Sequence, residues 1–134
     1  MTDIIKIEGI GPVYAKKLKD VGITTVEDLL KAGGTPEGRK QLAQKTGLSD
    51  VLILEWVNRA DLFRIKGVGK EYSDLLEASG VDTAVELAKR NAEELTKKMV
   101  ATNAEKKLVR KTPTASQVKD WIEQAKKLSR AITY

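Results

Sequence analysis

Apolar residues recur along this chain at intervals of three and four positions, the spacing that gathers them on one face of a helix. No segment alternates apolar and polar residues for long enough to predict a confident strand. The pattern therefore predicts an all-α protein built from short helices. They cover roughly residues 3–7, 12–21, 25–32, 36–46, 50–60, 61–65, 70–79, 83–90, 92–102, 104–111 and 115–129.

Residues that begin and end helices support these boundaries. In a capping box, side chains bind the first free N–H groups of a helix. The sequence has three such patterns: Thr24 with Glu27, Asn91 with Glu94 and Thr114 with Gln117. Thr35-Pro36 pairs an N-cap with a proline at the first helical position. Helix C-caps are expected at Gly22, Gly47 and Gly80.

The two halves of the chain repeat each other. IEGIGPVYAKKLKDVGITTVEDLLKA, from Ile7, aligns with IKGVGKEYSDLLEASGVDTAVELAKR, from Ile65, and 9 of the 26 positions are identical. LEWVNRADL around Trp56 also resembles KDWIEQAKKL around Trp121, at an offset about seven residues longer. A period of this length indicates duplicated supersecondary units. We therefore predict an internal duplication, with one unit over residues 1–60 and a second over 61–134.

Each repeat begins with two glycines that flank one apolar residue, directly before a helix. The first glycine allows a positive φ that ends the preceding turn, and the second lets other atoms approach the backbone closely. The first N–H groups of the following helix have no partner within the helix, and the helix dipole favours an anion beside them. The motif therefore predicts a small pocket suited to a phosphate.

Helix, apolar-x-Gly-apolar-Gly, helix is the pattern of the helix-hairpin-helix family, which this chain resembles. In that family, backbone amides of the hairpin hold a DNA phosphate without reading the base sequence. The stretch from Ala15 to Thr25 is also similar to such repeats in the N-terminal domain of RecA-like recombinases and in repair nucleases.

The whole chain more closely resembles a bacterial family of unknown function built from two such units. The diagnostic stretches are TGLSDVLILEWVNRADL and LVRKTPTASQVKDWIEQAKKL. The resemblance implies a SAM/HhH-like fold in which two fused units are related by pseudo-two-fold symmetry and share a helical core. A dinucleotide-binding GxGxxG motif is disfavoured, because its third glycine would fall at Tyr14 or Tyr72 and no strand is predicted before either turn.

The composition argues against catalysis. The chain has no cysteine and no histidine, so it lacks thiolate ligands, cysteine nucleophiles and the commonest general base. Its carboxylates are scattered, and we expect no enzyme activity, no cofactor and no metal site. No apolar run approaches the roughly 20 residues that span a bilayer, and the N-terminus lacks a signal-peptide core. We therefore expect a cytoplasmic protein without a membrane partner.

The net charge of +5 is unevenly distributed. Residues 1–96 carry 14 basic and 16 acidic side chains, a net of −2, and residues 97–134 carry 10 basic and 3 acidic, a net of +7. A basic C-terminal third predicts an anionic partner.

These features predict three groups of phosphate-binding residues. They are Gly9, Ile10, Gly11 and Val13 with Lys16 and Lys17; Lys66, Gly67, Val68, Gly69 and Lys70; and Lys106, Lys107, Arg110 and Lys111, expected on one broad face of their helix. Each group has a structural alternative. The hairpins could simply join packed helices, Glu71, Asp74 and Glu77 oppose a phosphate at the second hairpin, and the basic cluster could be a solvated surface.

The aromatic residues of the repeats are expected in the core. Tyr14 and Tyr72 should pack against a neighbouring helix, and Trp56 and Trp121 should anchor the two halves instead of stacking on bases. The leading hypothesis is a non-sequence-specific DNA-binding module, most consistent with double-stranded DNA. The rival hypothesis is a protein–protein interaction scaffold whose hairpins are purely structural. An enzyme with a small anionic substrate is a distant third, and the oligomeric state stays open.

Overall fold

The computed structural model describes residues 2–134, and it confirms the all-α prediction. Within that range a short 3-10 helix, Ile4–Lys6, precedes the α-helices. These are α1 (Pro12–Asp20), α2 (Val26–Gly33), α3 (Pro36–Thr46), α4 (Asp50–Leu62), α5 (Lys70–Ala78), α6 (Ala84–Ala88), α7 (Ala92–Lys106) and α8 (Ala115–Lys127). No strand forms in residues 2–134, and the one β-bridge there pairs Asp3 with Thr25.

The chain divides into two compact units. The first contains residues 2–61 together with Arg130–Tyr134, and the second contains Leu62–Ser129. In the second unit, apolar residues of α5, α6, α7 and α8 form one buried cluster that includes Leu75, Leu76 and Trp121. The first unit buries Ile4, Leu18 and Ile53, whereas Val13 and Val51 stay exposed.

Two predicted helices were wrong. Residues 61–65 are not a separate helix, because α4 continues through Leu62 and gives way to turns. The helix predicted over 104–111 does not form either, since α7 ends at Lys106 and Lys107 adopts a left-handed conformation with φ 51°. The side chain of Asn103 bonds the backbone of Val109 and replaces the helical hydrogen bonds that would have continued α7.

The helix caps follow the sequence with two differences. At α7 Asn91 accepts the N–H of Glu94, but the two residues do not form the complete capping box that was predicted. Thr114 and Gln117 form the predicted capping box of α8, whereas the box of α2 uses Thr25 and Asp28 instead of Thr24 and Glu27. The N–H groups of Thr24 and Thr25 donate to the Asp28 carboxylate and lower its pKa below the usual 3.8.

The two tryptophans are core residues, as predicted, and both are only 2% exposed. The Tyr14 and Trp56 ring centroids lie 5.2 Å apart with an interplanar angle of 54°. In the second unit the Tyr72 and Trp121 centroids lie 5.1 Å apart at the same angle. Each pair therefore holds the first turn of a helix, α1 or α5, against a tryptophan.

Gly67→Ala is expected to destabilise the protein by about 2–3 kcal/mol, because a side chain at φ 97° is strained and its Cβ would lie 3.0 Å from Trp121 Nε1. The matched control is Gly69→Ala, where an added Cβ meets nothing within 4 Å and φ is −112°. The control should lose no more than about 1 kcal/mol, because its only cost is that alanine is a poorer N-cap than glycine. Urea unfolding measures both, and equal effects of the two substitutions would contradict the different roles assigned to these glycines.

Candidate functional site

Residues 7–15 form a tight turn that leads directly into α1. The Ile10 N–H donates to the Ile7 carbonyl at 3.1 Å, and both side chains are buried. Gly9 has φ 92°, and a Cβ there would lie 3.3 Å from Trp56 Nε1. Gly11 is the N-cap residue of α1, and its carbonyl accepts the N–H of Ala15 at 2.9 Å.

The same geometry recurs at residues 65–73. The Val68 N–H donates to the Ile65 carbonyl at 3.1 Å, Gly67 has φ 97°, and the Gly69 carbonyl accepts the N–H of Ser73 at 2.9 Å. The hydrogen-bond lengths thus agree with those of the first turn. The second glycine of each motif therefore lies at a helix N-terminus, whereas the N–H groups of Ile10 and Val68, both predicted to bind phosphate, are bonded within the turn.

The two glycines of each motif differ in what the fold requires of them. Gly9 and Gly67 have positive φ and lie against a tryptophan, so packing explains them. Gly11 and Gly69 have φ of −88° and −112°, which any residue adopts, and an added Cβ would meet nothing within 4 Å of either position. Neither backbone strain nor crowding within the protein therefore accounts for the second glycine.

The remaining helices show what normally occupies this position. In each of them a side-chain oxygen of the N-cap residue accepts the N–H of the third helical residue. These residues are Thr25, Thr35, Ser49, Thr83, Asn91 and Thr114. The caps of α1 and α5 make no such bond, and the corresponding N–H groups of Tyr14 and Tyr72 have no acceptor among residues 2–134. Both N-termini are thus open to an external anion.

Ion pairs reduce the positive charge around the first turn. Lys16 Nζ lies 3.1 Å from Asp20 and Lys19 Nζ lies 3.2 Å from Asp3. The pKa of Asp3 is below its usual value, chiefly because the Ile5 N–H donates to the carboxylate and secondly because of Lys19. Lys17 is exposed and has no ion pair in the described part of the chain. Of the two lysines predicted here, Lys17 is therefore the one more available to a ligand.

At the second turn, the candidate lysines have different surroundings. The backbone of Lys66 is occupied, since its N–H donates to Gln124 Oε1 at 2.9 Å and its carbonyl accepts Gln124 Nε2 at 3.1 Å, but its side chain is exposed. Lys70 Nζ lies 3.6 Å from Asp74. The Lys66 side chain is accordingly the more accessible charge at this turn. Sequence reasoning missed Gln124, because residues 58 positions apart show no local pattern.

The C-terminal basic cluster is arranged differently from the sequence prediction. Its four members, Lys106, Lys107, Arg110 and Lys111, do not share a helix face, because only Lys106 is helical. All four are exposed and make no ion pair within residues 2–134. Tyr72 Oη donates to the Lys111 carbonyl at 3.1 Å. The end of the cluster therefore lies beside the first turn of α5, at the second glycine motif.

A groove of about 580 Å³ in the second unit carries both signs of charge. Three basic residues, Arg90, Lys119 and Lys126, and two acidic residues, Glu93 and Glu123, line it, and Lys126 is paired with Glu123. Within residues 2–134, no group of three or more carboxylates is placed to hold a metal ion, and no helix has the length and apolarity needed to cross a membrane.

Comparison with known proteins gives one match. The model of the domain family described as domain of unknown function (DUF4332) matches residues 8–128, which include both glycine motifs and all eight α-helices. No curated protein and no solved structure matches the chain.

Proposed function

The chain belongs to the DUF4332 domain family, and we propose that it is a non-sequence-specific DNA-binding module. On this proposal the two glycine turns are helix-hairpin-helix motifs, and the two units arose by duplication. The agreement between the turns in φ angles, hydrogen bonds and tyrosine–tryptophan geometry supports the duplication. The pseudo-two-fold relation and the shared core stay predictions.

The observation that carries the proposal is the pair of uncapped helices. Only α1 and α5, among the helices described, begin with a glycine in place of a capping side chain. A phosphate oxygen can accept the N–H groups that a serine or threonine would otherwise bind, and the helix dipole adds to the attraction. The missing Cβ atoms of Gly11 and Gly69 leave room for the bulky sugar-phosphate backbone.

Side-chain charge supplements these backbone contacts. The second unit has 14 basic and 10 acidic side chains, a net of +4, and the first has 10 and 9, a net of +1. In the proposal Lys17, Lys66 and the cluster Lys106, Lys107, Arg110 and Lys111 neutralise phosphates and release counterions. The sequence pattern predicts no side chain of the site that would contact the edges of the bases. Binding should therefore be insensitive to base sequence.

A protein–protein interaction scaffold is the second candidate function. It is favoured by Gly9 and Gly67, which packing explains without any ligand, and by Val13 and Val51, which are 69% and 70% exposed. On that view the turns only connect helices. It leaves unexplained why two helices lack the side-chain cap that the others have.

Fluorescence anisotropy tests the proposal with a labelled random-sequence duplex and its single strand, titrated at several salt concentrations. We expect binding whose log K falls against log salt with a slope of about −3 to −5, as expected for roughly four to six neutralised phosphates. Absence of binding at about 50 mM salt, where phosphate contacts are strongest, would overturn the proposal in favour of the scaffold.

A further inference from the structure

Residues 107–114, the connection between α7 and α8, have no counterpart in the first unit. There, α3 and α4 are joined by residues 47–49, which contain no basic residue. The longer connection carries Lys107, Arg110 and Lys111, and none of the three has an ion-pair partner in residues 2–134. Three cations on an exposed loop would ordinarily lose much conformational freedom on binding an anion.

Asn103 fixes the start of this connection. Its Nδ2 donates to the Val109 carbonyl at 3.0 Å, and its Oδ1 accepts the Val109 N–H at 2.9 Å. Its own carbonyl accepts the N–H of Lys107 at 2.8 Å, and Val109 is buried in the core of the second unit. These bonds hold Lys107 in its left-handed conformation, which a non-glycine residue adopts only when its surroundings impose it.

Tyr72 fixes the position of Lys111, at the other end of the 107–111 segment. Its ring packs on Trp121 and its Oη donates to the Lys111 carbonyl at 3.1 Å, while the following Pro113 is buried. Tyr72 is the third residue of α5, so the bond holds the backbone of Lys111 beside the helix that begins after Gly69. Tyr14, at the same place in the first unit, has the ring contact but no hydrogen bond from Oη within the described residues.

We propose that Asn103 and Tyr72 are positioning residues, which hold the 107–111 segment preformed so that its cations and the second glycine turn bind one stretch of nucleic-acid phosphates. The inference rests on the proposed DNA binding. It also implies that the two units differ in their phosphate-binding surface, because the second unit has this ordered basic segment and the first does not. Neither side chain contacts the ligand, so each side chain acts by lowering the entropy lost on binding.

The test compares Asn103→Ala and Tyr72→Phe by the same anisotropy assay with the matched control Tyr134→Phe, which removes a tyrosine hydrogen bond to Asn58 in the first unit. We expect the two test variants to bind about 3- to 10-fold more weakly, the cost of ordering a loosened segment, with an unchanged salt slope. Arg110→Gln/Lys111→Gln, which removes two charges, should instead reduce the slope by about 1.8. Tyr134→Phe should bind like wild type.

A second measurement does not depend on DNA. Trypsin should cleave native Asn103→Ala after Lys107, Arg110 or Lys111 faster than it cleaves wild type or Tyr134→Phe. Thermal melts confirm that each variant is folded. Equal cleavage rates, or wild-type affinity in both test variants, would overturn the positioning role and leave DNA binding intact. A wild-type protein that binds no DNA would overturn the proposed function and this inference together.

Discussion

Replacing both Gly11 and Gly69 by serine is expected to remove most of the DNA affinity while leaving the protein as stable as before. Serine adopts the observed φ of −88° and −112° without strain, and its Oγ can accept the free N–H of Tyr14 or Tyr72. Folding stability should change by no more than about 0.5 kcal/mol, because glycine and serine are both acceptable N-caps.

DNA binding should respond differently, because the serine side chain takes the same N–H groups and fills the space that the phosphate needs. Losing one charge-assisted hydrogen bond at each of two sites predicts an affinity about 100-fold lower. Anisotropy and urea unfolding, run on the same preparations, measure the two quantities. Thr35→Ser/Thr114→Ser is the matched control, since it alters two exposed caps that already have a side chain and should change neither quantity. A folded double variant with wild-type affinity would refute the role of the open helix N-termini.

Arg39→Ala is expected to cost about 3 kcal/mol of folding stability, because the substitution removes a charged donor from a buried position. Arg39 is only 6% exposed and donates to the Gly33 carbonyl at 2.9 Å and the Thr133 carbonyl at 2.8 Å. Its guanidinium also lies 5.8 Å from the centre of the Tyr134 ring. Removing it leaves two carbonyls without a charged donor and a void in the first unit. Urea unfolding of Arg39→Ala against exposed Lys40→Ala, which should change by about 0.5 kcal/mol or less, measures the effect.

Deleting residues 130–134 should cost a comparable amount of folding stability. The two losses should not be additive, because the deletion removes Thr133, whose carbonyl accepts the Arg39 hydrogen bond. The segment also pairs with the end of α2, where the Thr133 N–H donates to the Gly34 carbonyl at 2.8 Å. Additive losses, or an Arg39→Ala variant within about 0.5 kcal/mol of wild type, would show that the arginine does not hold the C-terminal segment in place.

Local patterns predicted the helices well because the determinants lie within a few residues of one another. The Thr35 and Thr114 caps, the positive φ of Gly22, Gly47 and Gly80, and the buried tryptophans all follow from spacing and residue type. The glycine turns were likewise placed correctly before α1 and α5.

The features that sequence did not predict depend on contacts between distant residues. Thr133 binds Gly34 and Tyr72 binds Lys111, pairs 99 and 39 positions apart. The basic cluster was placed on a helix because its residues have good helical propensity, whereas the Asn103 side chain outcompetes the helical hydrogen bonds. The positive φ of the first glycine of each motif was predicted, but its contact with a tryptophan needed the three-dimensional structure.

Amide chemical shifts recorded by NMR during titration with a short random duplex test the proposed DNA contact most directly, because each backbone N–H reports separately. We expect the largest changes at the amides that open toward the ligand at the starts of α1 and α5, among them Val13, Tyr14, Glu71 and Tyr72, with smaller changes at Arg110 and Lys111. Binding that leaves the α1 and α5 amides unmoved would contradict phosphate capture by the open helix N-termini, as would the absence of any shift at about 50 mM salt.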